Sequence, residues 1–188
     1  MPTHARDRLL RAAEKLFYAE GIRAVGLERL LSVSGVGRAS FYRHFASKDD
    51  LVVTMLRGYD ERYRSWLTER TSALGGTPLA VFDALIEHAE TSDFRGCAFI
   101  NAIAEVAEPD STIRAMATAH KDAVADYLRT LLVDAGYPDD MELARQLLLL
   151  MDGATVTELY ERSSRPARQA KAMAQALLHG HHVHDDTP

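Results

Sequence analysis

The chain has 188 residues, 47% of them hydrophobic and 26% charged, so it can bury a core and is too apolar for an intrinsically disordered segment. Its single cysteine excludes an internal disulfide framework and a four-thiolate zinc site, and it suits a reducing compartment. The longest strictly apolar run covers residues 147–151, whereas a membrane-spanning helix needs about 20 residues, and the N-terminus lacks the apolar stretch of a signal peptide. We therefore expect a soluble, cytoplasmic protein with no membrane partner.

The net charge is −5, but the charges are unevenly distributed along the chain. Residues 1–48 contain nine Lys and Arg against four Asp and Glu, which gives +5 and leaves −10 for the remaining residues. Including Asp49 and Asp50 lowers the excess of the first segment to +3. The pattern indicates a basic head on an acidic body, and the head is the candidate for a nucleic-acid partner.

Three short helices are predicted in the basic head. Apolar residues recur there at helical spacing in three segments: about 4–20, 27–35 and 38–45. Gly21 ends the first segment. Residues 47–50, Ser-Lys-Asp-Asp, form a capping box in which the Ser47 hydroxyl accepts a hydrogen bond from the backbone of Asp50. The capping box predicts the start of a long fourth helix that ends near residue 69.

The acidic body is predicted to contain five further helices. Thr77 caps the first of them with Pro78 at the first helical position, and Gly136 ends the third. The five segments cover about 77–89, 97–107, 111–134, 139–162 and 163–179. No strand-like alternation between hairpin turns and no repeat period is found in the sequence. The sequence therefore predicts an all-α fold of about nine helices.

The second and third helices of the head have the spacing of a helix-turn-helix motif. Gly35 allows the positive φ of a tight turn between them, and Val36 follows as an apolar plug. Phe41 and Phe45 share one face of the third helix and are expected in the core. The polar residues of that helix cannot all face the same core, so they either contact DNA or lie solvated on a plain surface helix.

The segment from Arg8 to Leu51 carries a specific set of residues. They are Ala12-Ala13, Leu16-Phe17, Gly21, Leu30, Gly35-Val36, Ser40-Phe41-Tyr42, His44-Phe45 and Lys48-Asp49-Asp50-Leu51. With these residues the head resembles the N-terminal domain of TetR-type transcriptional repressors. The resemblance implies a homodimer whose recognition helices enter successive major grooves of double-stranded operator DNA. It also implies a helix-turn-helix DNA-binding domain (1–48) and a ligand-binding and dimerisation domain (49–179). The His-rich composition of residues 180–188 predicts a disordered tail.

Three positions depart from the family pattern. Family members commonly carry hydroxyl residues that cap the second and third helices, whereas this chain has Gly26 and Gly37, which are weaker caps. Leu31 stands where helix-turn-helix sequences usually have Ala, so we expect a slightly opened helix crossing. None of these changes removes a group that contacts DNA.

The resemblance also implies roles for individual residues of the recognition helix. Tyr42, His44 and Lys48 correspond to the family's phosphate contacts, with plain packing or solvation as the alternative. Arg43 is expected to contact either the backbone or a base. The base edges are assigned to the N-terminal end of the helix, where Arg suits guanine and Ala suits the thymine methyl: Arg38, Ala39 and Ser40.

The body offers aromatic and polar side chains for an amphipathic effector cavity, although most of them are equally explained as core. The candidates are Tyr59, Tyr63, Trp66, Phe82, Phe99, Asn101, Tyr127, Met151 and Thr155. Asn101 shares a helical face with Glu105, and both suit either a ligand or a structural hydrogen bond. Cys97 is either a redox or electrophile sensor or a small core residue.

Apolar stripes on the last two helices predict the dimer interface, with the chain's own core as the alternative. The interface candidates are Leu147, Leu150, Ala154, Met173 and Leu177. The His-rich tail is expected to bind metal only adventitiously, so we predict no metal site and no cofactor.

Two other classes of function compete with a ligand-responsive regulator. An all-α enzyme is disfavoured because no metal-binding helix motif, phosphate loop or nucleophile elbow is found in the sequence. A structural DNA-binding protein without an effector stays open. We expect regulation because the fourth helix begins at Lys48 and extends to Trp66 in the body, so one helix serves both sites.

Overall fold

The computed structural model describes residues 3–91, 95–105 and 111–184, and in these ranges it contains nine α-helices and no strand, which confirms the all-α prediction. The helices are α1 (Thr3–Glu20), α2 (Leu27–Ser34), α3 (Arg38–His44), α4 (Lys48–Ala73), α5 (Ala80–Ala89), α6 (Ala98–Glu105), α7 (Thr112–Asp134), α8 (Met141–Glu161) and α9 (Arg165–His184). None of the described helices is long and apolar enough to cross a bilayer.

The chain divides into two compact units, and their boundaries differ from the predicted boundary at residue 48. Unit 1 comprises Met1–Arg62 and Ala98–Ala117, and unit 2 comprises Tyr63–Cys97 and Thr118–Pro188. The first half of α4 and the whole of α6 therefore belong with the helix-turn-helix. Sequence composition does not show this grouping, because it depends on contacts between residues far apart in the chain.

The helix-turn-helix of unit 1 follows the local signals of its sequence. Gly35 adopts φ +62° at the C-terminus of α2, and Val36 donates its N–H to the Leu31 carbonyl oxygen at 3.2 Å. Leu9, Phe41 and Val36 are buried, so α1 covers the inner face of the motif. The chain therefore turns from α2 into α3 around a glycine and an apolar plug, as predicted.

The helix caps of unit 1 differ in strength. The Asp50 N–H donates to the Ser47 hydroxyl at 3.1 Å, and the Asp50 carboxylate accepts from the Ala46 N–H at 2.9 Å, so a reciprocal capping arrangement starts α4. Gly26 and Gly37 precede α2 and α3 in extended conformation, and neither helix has a side-chain cap at that position.

Unit 2 has a continuous apolar core in which α8 packs along α9, and α5 packs against both. The largest fully buried side chains of this core are Leu67, Phe82, Leu128, Leu132, Leu143 and Leu147. The Asp140 side chain caps α8 by accepting from the Glu142 N–H at 2.8 Å, one residue later than the predicted start at Asp139.

Helix α9 differs from the prediction at its C-terminal end. It continues to His184, whereas the sequence predicted that a disordered tail begins at residue 180. The ring Nδ1 atoms of His179 and His181 lie 2.7 and 3.0 Å from the carbonyl oxygens of Gln175 and Leu177, so these histidines bond to the preceding turn of their own helix. The rest of the predicted tail, 185–188, lies outside the described residues.

Candidate nucleic-acid interface and effector region

The recognition helix α3 has one buried face and one exposed face. Phe41 is 0% exposed and Phe45 is also buried, which confirms that both belong to the core. Their rings lie 5.9 Å apart and anchor the helix on unit 1. The opposite face presents four exposed side chains at i, i+1, i+4 and i+5 spacing: Arg38, Ala39, Tyr42 and Arg43.

Tyr42 is held by a packing contact although it lies on the exposed face. Its side chain is 53% exposed, and its ring meets the ring of Phe41 edge to face at 5.2 Å. The contact covers part of the ring and leaves the rest of the side chain exposed to solvent. An exposed phenol hydroxyl is a donor of the kind that suits a phosphate oxygen.

The other predicted contact residues are half-buried: Ser40, His44 and Lys48. The Lys48 ammonium donates to the Ile22 carbonyl oxygen at 2.5 Å and lies 5.7 Å from the centre of the Phe17 ring. Lys48 therefore begins α4 and also ties that helix to the α1–α2 loop.

Arg38 forms an ion pair with Glu28, which lies in the first turn of α2. Both side chains are largely exposed. Glu28 was not predictable as a functional residue, because a single acid in the first turn of a helix is an ordinary helix-dipole feature. The acid matters because it contacts the residue that is expected to read a base.

Two arginines near the start of α1 also lie beside the helix-turn-helix. The Arg6 guanidinium lies 5.7 Å from the centre of the Phe45 ring, and an Arg8 Nη atom would lie 3.5 Å from a Cβ added at Gly35. Both side chains are exposed. The sequence showed a positive charge over the first 48 residues, but it did not show that Arg6 and Arg8 lie beside the helix-turn-helix.

Arg29 contributes positive charge in the head but is engaged with Glu20. Its guanidinium donates to the two carboxylate oxygens at 2.6 and 3.0 Å. These hydrogen bonds lower the pKa of Glu20 and raise that of Arg29. The pair joins the end of α1 to α2, so Arg29 has a structural partner within the head.

The residues predicted for an effector site are divided between the two units. Tyr59, Phe99 and Asn101 belong to unit 1, where the rings of Tyr59 and Phe99 lie 5.9 Å apart and Phe99 is fully buried. The others belong to unit 2: Tyr63, Trp66, Phe82, Tyr127, Met151 and Thr155.

Within unit 2, Phe82 and Met151 are buried in the packed core, as the alternative interpretation expected. Tyr63, Trp66 and Tyr127 pack against that core and are partly buried. Thr155 is half-buried on α8. Phe82 and Met151 therefore fill space in unit 2, and the partly buried aromatic residues are the better candidates for a ligand contact.

Four ring side chains of unit 2 form an aromatic–imidazole cluster: Tyr63, Trp66, His88 and His120. The Tyr63 ring lies 5.5 Å from Trp66 and 5.4 Å from His120, and Trp66 lies 4.7 Å from His88, all measured between ring centres. The two histidines, His88 and His120, were not among the predicted site residues. Their positions within apolar helical patterns of α5 and α7 were the only signal.

Burial favours the uncharged forms of two members of the cluster, Tyr63 and His88. Burial raises the pKa of Tyr63 well above its ordinary value, and negative charge at Cys97 or Asp152 raises it further. Burial also lowers the pKa of His88, which favours the neutral imidazole. A phenol and a neutral imidazole beside an indole make a largely apolar surface with a few hydrogen-bonding groups.

The predicted residues Glu105 and Cys97, and the unpredicted Asp152, have distinct surroundings. The Glu105 carboxylate accepts hydrogen bonds from the Ile22 and Arg23 backbone N–H groups. Of the two expected roles, a ligand contact or a structural hydrogen bond, Glu105 therefore has the structural one. Asp152, whose negative charge raises the pKa of Tyr63, forms a partly buried ion pair with Lys121. Cys97 is a free, half-buried thiol.

The side chains of the predicted interface residues differ in burial. Leu147 and Ala154 are buried in the core of unit 2, so they are occupied within the chain itself. Leu150 and Leu177 are partly buried against the same core. Met173 is 59% exposed. The exposed face of α8 is formed by residues that were not predicted for the interface: Leu149, Gly153, Val156 and Tyr160.

Known proteins resemble the chain over the helix-turn-helix and beyond it. The family model described as "Bacterial regulatory proteins, tetR family" matches residues 9–55. The HTH-type transcriptional regulator YjdC of Escherichia coli K12 is 25% identical over 177 residues, which cover 92% of this chain and 93% of YjdC. The HTH-type transcriptional repressor NemR of the same strain is 27% identical over 187 residues, which cover 92% of this chain and 93% of NemR.

Solved structures extend the likeness to the whole fold. SCO4454, a TetR-family transcriptional regulator from Streptomyces coelicolor, has a TM-score of 0.88 and 31% identity, with 96% of this chain and 91% of that chain covered. The reduced form of Escherichia coli NemR has a TM-score of 0.81 and 25% identity, with 92% of this chain and 97% of that chain covered.

Proposed function

We propose that this chain, which belongs to the TetR family of transcriptional regulators, is a repressor that binds operator DNA as a homodimer and is released by a small, largely apolar effector. Its relatives are regulators and not enzymes. The observation that carries the proposal is the exposed face of α3, where Arg38, Tyr42 and Arg43 stand opposite the buried Phe41.

The exposed and half-buried residues of α3, together with Lys48 at the start of α4, suit different parts of a duplex. Arg38, Ala39 and Ser40 lie in the first turn, which is the part of a recognition helix that reaches base edges in the major groove. Tyr42, His44 and Lys48 offer donors to phosphates, and these contacts set position without reading sequence. Arg43 follows Arg38 by five residues and is exposed, so it suits either type of contact.

Repression is proposed from the relatives and from the mode of binding. NemR carries the name of a transcriptional repressor. A protein that occupies a promoter acts most simply by blocking access to it. We assign the regulated DNA to an operator that contains two half-sites about one helical turn apart, since each protomer supplies one recognition helix.

A homodimer is proposed from the outward faces of α8 and α9. Leu149 is 72% exposed and Tyr160 is 73% exposed, and both lie on the same face of α8 as Val156. Helix α9 leaves Met173 exposed beside small residues: Ala172, Ala176 and Gly180. Large apolar side chains beside small ones allow close helix packing, so a second copy of this chain fits these faces.

The effector is proposed to bind at the aromatic–imidazole cluster of unit 2. The uncharged Tyr63 and His88 suit a ligand of low polarity that carries a few hydrogen-bonding groups. Helix α4 carries Lys48 near its start and Tyr63 and Trp66 in its second half without interruption. A ligand that prefers the DNA-free conformation would therefore act on the helix that begins at a phosphate contact.

DNA binding is tested with duplexes that the purified protein enriches from a randomised library. We expect specific binding that weakens steeply as salt is raised, because phosphate contacts release counterions. Tyr42→Phe should weaken binding to enriched and random duplexes equally, whereas Arg38→Ala should reduce the preference between them. Equal affinity of the wild-type protein for enriched and random DNA would contradict the proposal.

The effector is tested by a thermal-shift screen of small apolar compounds, followed by DNA titration with each compound that stabilises the protein. We expect bound compounds to lower DNA affinity by about 5–150-fold, and DNA to weaken their binding by the same factor. Trp66 is the only tryptophan, so its emission should change when a compound binds at the cluster. Stabilising compounds that leave DNA affinity unchanged would favour a structural DNA-binding protein.

A further inference from the structure

The α1–α2 loop of unit 1 is held by two side chains that are distant in sequence. The Ile22 N–H donates to Glu105 Oε1 at 2.9 Å, and the Arg23 N–H donates to Glu105 Oε2 at 2.6 Å. The Ile22 carbonyl oxygen accepts from the Lys48 ammonium at 2.5 Å. Ile22 therefore links a carboxylate at the end of α6 to the first residue of α4.

The contact between Glu105 and the loop requires a close approach of the two segments. Gly21 adopts φ +91°, which side-chain-bearing residues rarely adopt. A Cβ at Gly21 would lie only 3.1 Å from Glu105 Oε1, so the carboxylate occupies the space beside a missing side chain. Two charge-assisted hydrogen bonds from adjacent N–H groups then set the orientation of the Ile22 peptide, the group that contains both the Ile22 carbonyl and the Arg23 N–H.

The Ile22 carbonyl in turn fixes the end of a flexible side chain. A lysine has several rotatable bonds, and its ammonium has three N–H donors. At Lys48, the Ile22 carbonyl oxygen and the Phe17 ring restrict the ammonium to one region of space. Since the carbonyl takes one donor, the same ammonium can hold Ile22 and a phosphate oxygen together.

We infer that Glu105 is a positioning residue for DNA binding: it orients the Ile22 peptide, and that peptide places the Lys48 ammonium for a phosphate. The inference rests on the proposed function, because it assigns Lys48 to DNA. It adds a residue of α6, outside the helix-turn-helix, to the binding apparatus. Glu105 itself, as an acid, is not expected to contact DNA.

The inference is tested by anisotropy titrations of a mixed-sequence duplex about three helical turns long, over a range of salt concentrations. Glu105→Ala and Lys48→Ala should each weaken binding about fivefold and lower the salt slope by about 0.9 per protomer, the value for one phosphate. The double variant should bind no more weakly than Lys48→Ala, because both changes remove the same contact. A residue that only stabilises the fold would not reduce the salt slope by one phosphate or lose its effect in the Lys48→Ala background.

Glu14→Ala is the matched control. It removes the same charge from unit 1 and breaks the contact from Arg62 to Glu14, which does not involve the α1–α2 loop. We expect this variant to keep the wild-type salt slope. If Glu105→Ala lowers the folded fraction, Glu105→Gln is used instead, because its amide replaces one of the two accepting carboxylate oxygens with an NH2 group that cannot accept an N–H. Its expected loss is about twofold, again absent in the Lys48→Ala background.

Three outcomes decide the inference. Wild-type affinity and salt slope in Glu105→Ala would overturn it and leave the proposed function intact. Additive losses in the double variant would also overturn it, because Glu105 would then act independently of Lys48. Failure of the wild-type protein to bind DNA would instead overturn the proposed function, and the inference with it.

Discussion

Glu28 and Arg38 form an ion pair that joins the first turn of α2 to the first residue of the recognition helix. Under the proposed function, a carboxylate at this place should have two effects on DNA binding. We expect it to repel phosphates and to compete with a guanine edge for the Arg38 guanidinium. Both side chains are largely exposed, so breaking the pair costs little free energy, and we expect it to weaken DNA binding without preventing it.

Glu28→Gln is therefore expected to strengthen DNA binding. Removal of the charge should raise affinity about fivefold, or about 1 kcal/mol, since it releases Arg38 and removes the repulsion. Anisotropy titration of enriched duplexes checks this. The control is Glu61→Gln, an exposed acid of unit 1 on α4, which changes the net charge equally and should have a smaller effect. Equal gains in both variants would show that net charge alone is responsible.

Serine at Gly26 and Gly37 is expected to stabilise the head. Both glycines have extended backbone that serine adopts easily, and no atom lies within 4 Å of an added Cβ. The hydroxyl can cap a helix that lacks a side-chain cap, and the unfolded chain loses freedom. Each substitution should raise the free energy of unfolding by about 0.5–1 kcal/mol, measured by urea denaturation. Gly35→Ala, at φ +62°, should lower it instead.

A charge on the outward face of α8 or α9 is expected to separate the proposed dimer. Leu149→Glu and Met173→Glu place a carboxylate at exposed apolar positions, so each folded chain should keep its helix content while the dimer is lost. Light scattering measures the mass. Val133→Glu is the matched control, because Val133 is exposed on α7 and should leave the mass unchanged. Dimers in both test variants would place the interface elsewhere.

Glu158 is expected to make stability depend on pH near neutrality. Burial raises the pKa of this carboxyl from 4.5 to about 7, and a hydrogen bond from the Ala167 backbone offsets only part of the shift. The contribution of the protonated group to stability is complete below pH 4.5 and is lost as the pH rises through about 7. The loss is on the order of 3 kcal/mol.

Urea denaturation of the wild-type protein and Glu158→Gln across this pH range measures the effect. The variant cannot ionise at this position, so its stability relative to wild type should rise between about pH 4.5 and 7. Parallel stability curves for the two proteins would contradict the assignment. Glu142→Gln, an exposed acid on the same helix, serves as the control and should leave the curve unchanged.

The helices and the helix-turn-helix turn were predictable from sequence because their signals act over a few residues. Gly35 ends α2 with positive φ, and Ser47 accepts from Asp50 as the capping box requires. Phe41 and Phe45 are buried because a spacing of four places them on one helical face. The end of α9 was not predictable, since glycine and histidine favour helix weakly while bonds such as His181 to Leu177 favour its continuation.

Only the tertiary structure decided which partner each face and each polar group received. The five apolar residues from Leu147 to Met151 point to all sides of α8. Periodicity therefore could not show that Leu147 is buried and Leu149 is exposed. Glu105 was a candidate ligand contact by its helical face, but it binds a backbone 82 and 83 residues away. A sequence specifies which groups need a partner, whereas the long-range packing of the helices determines which partner comes within reach.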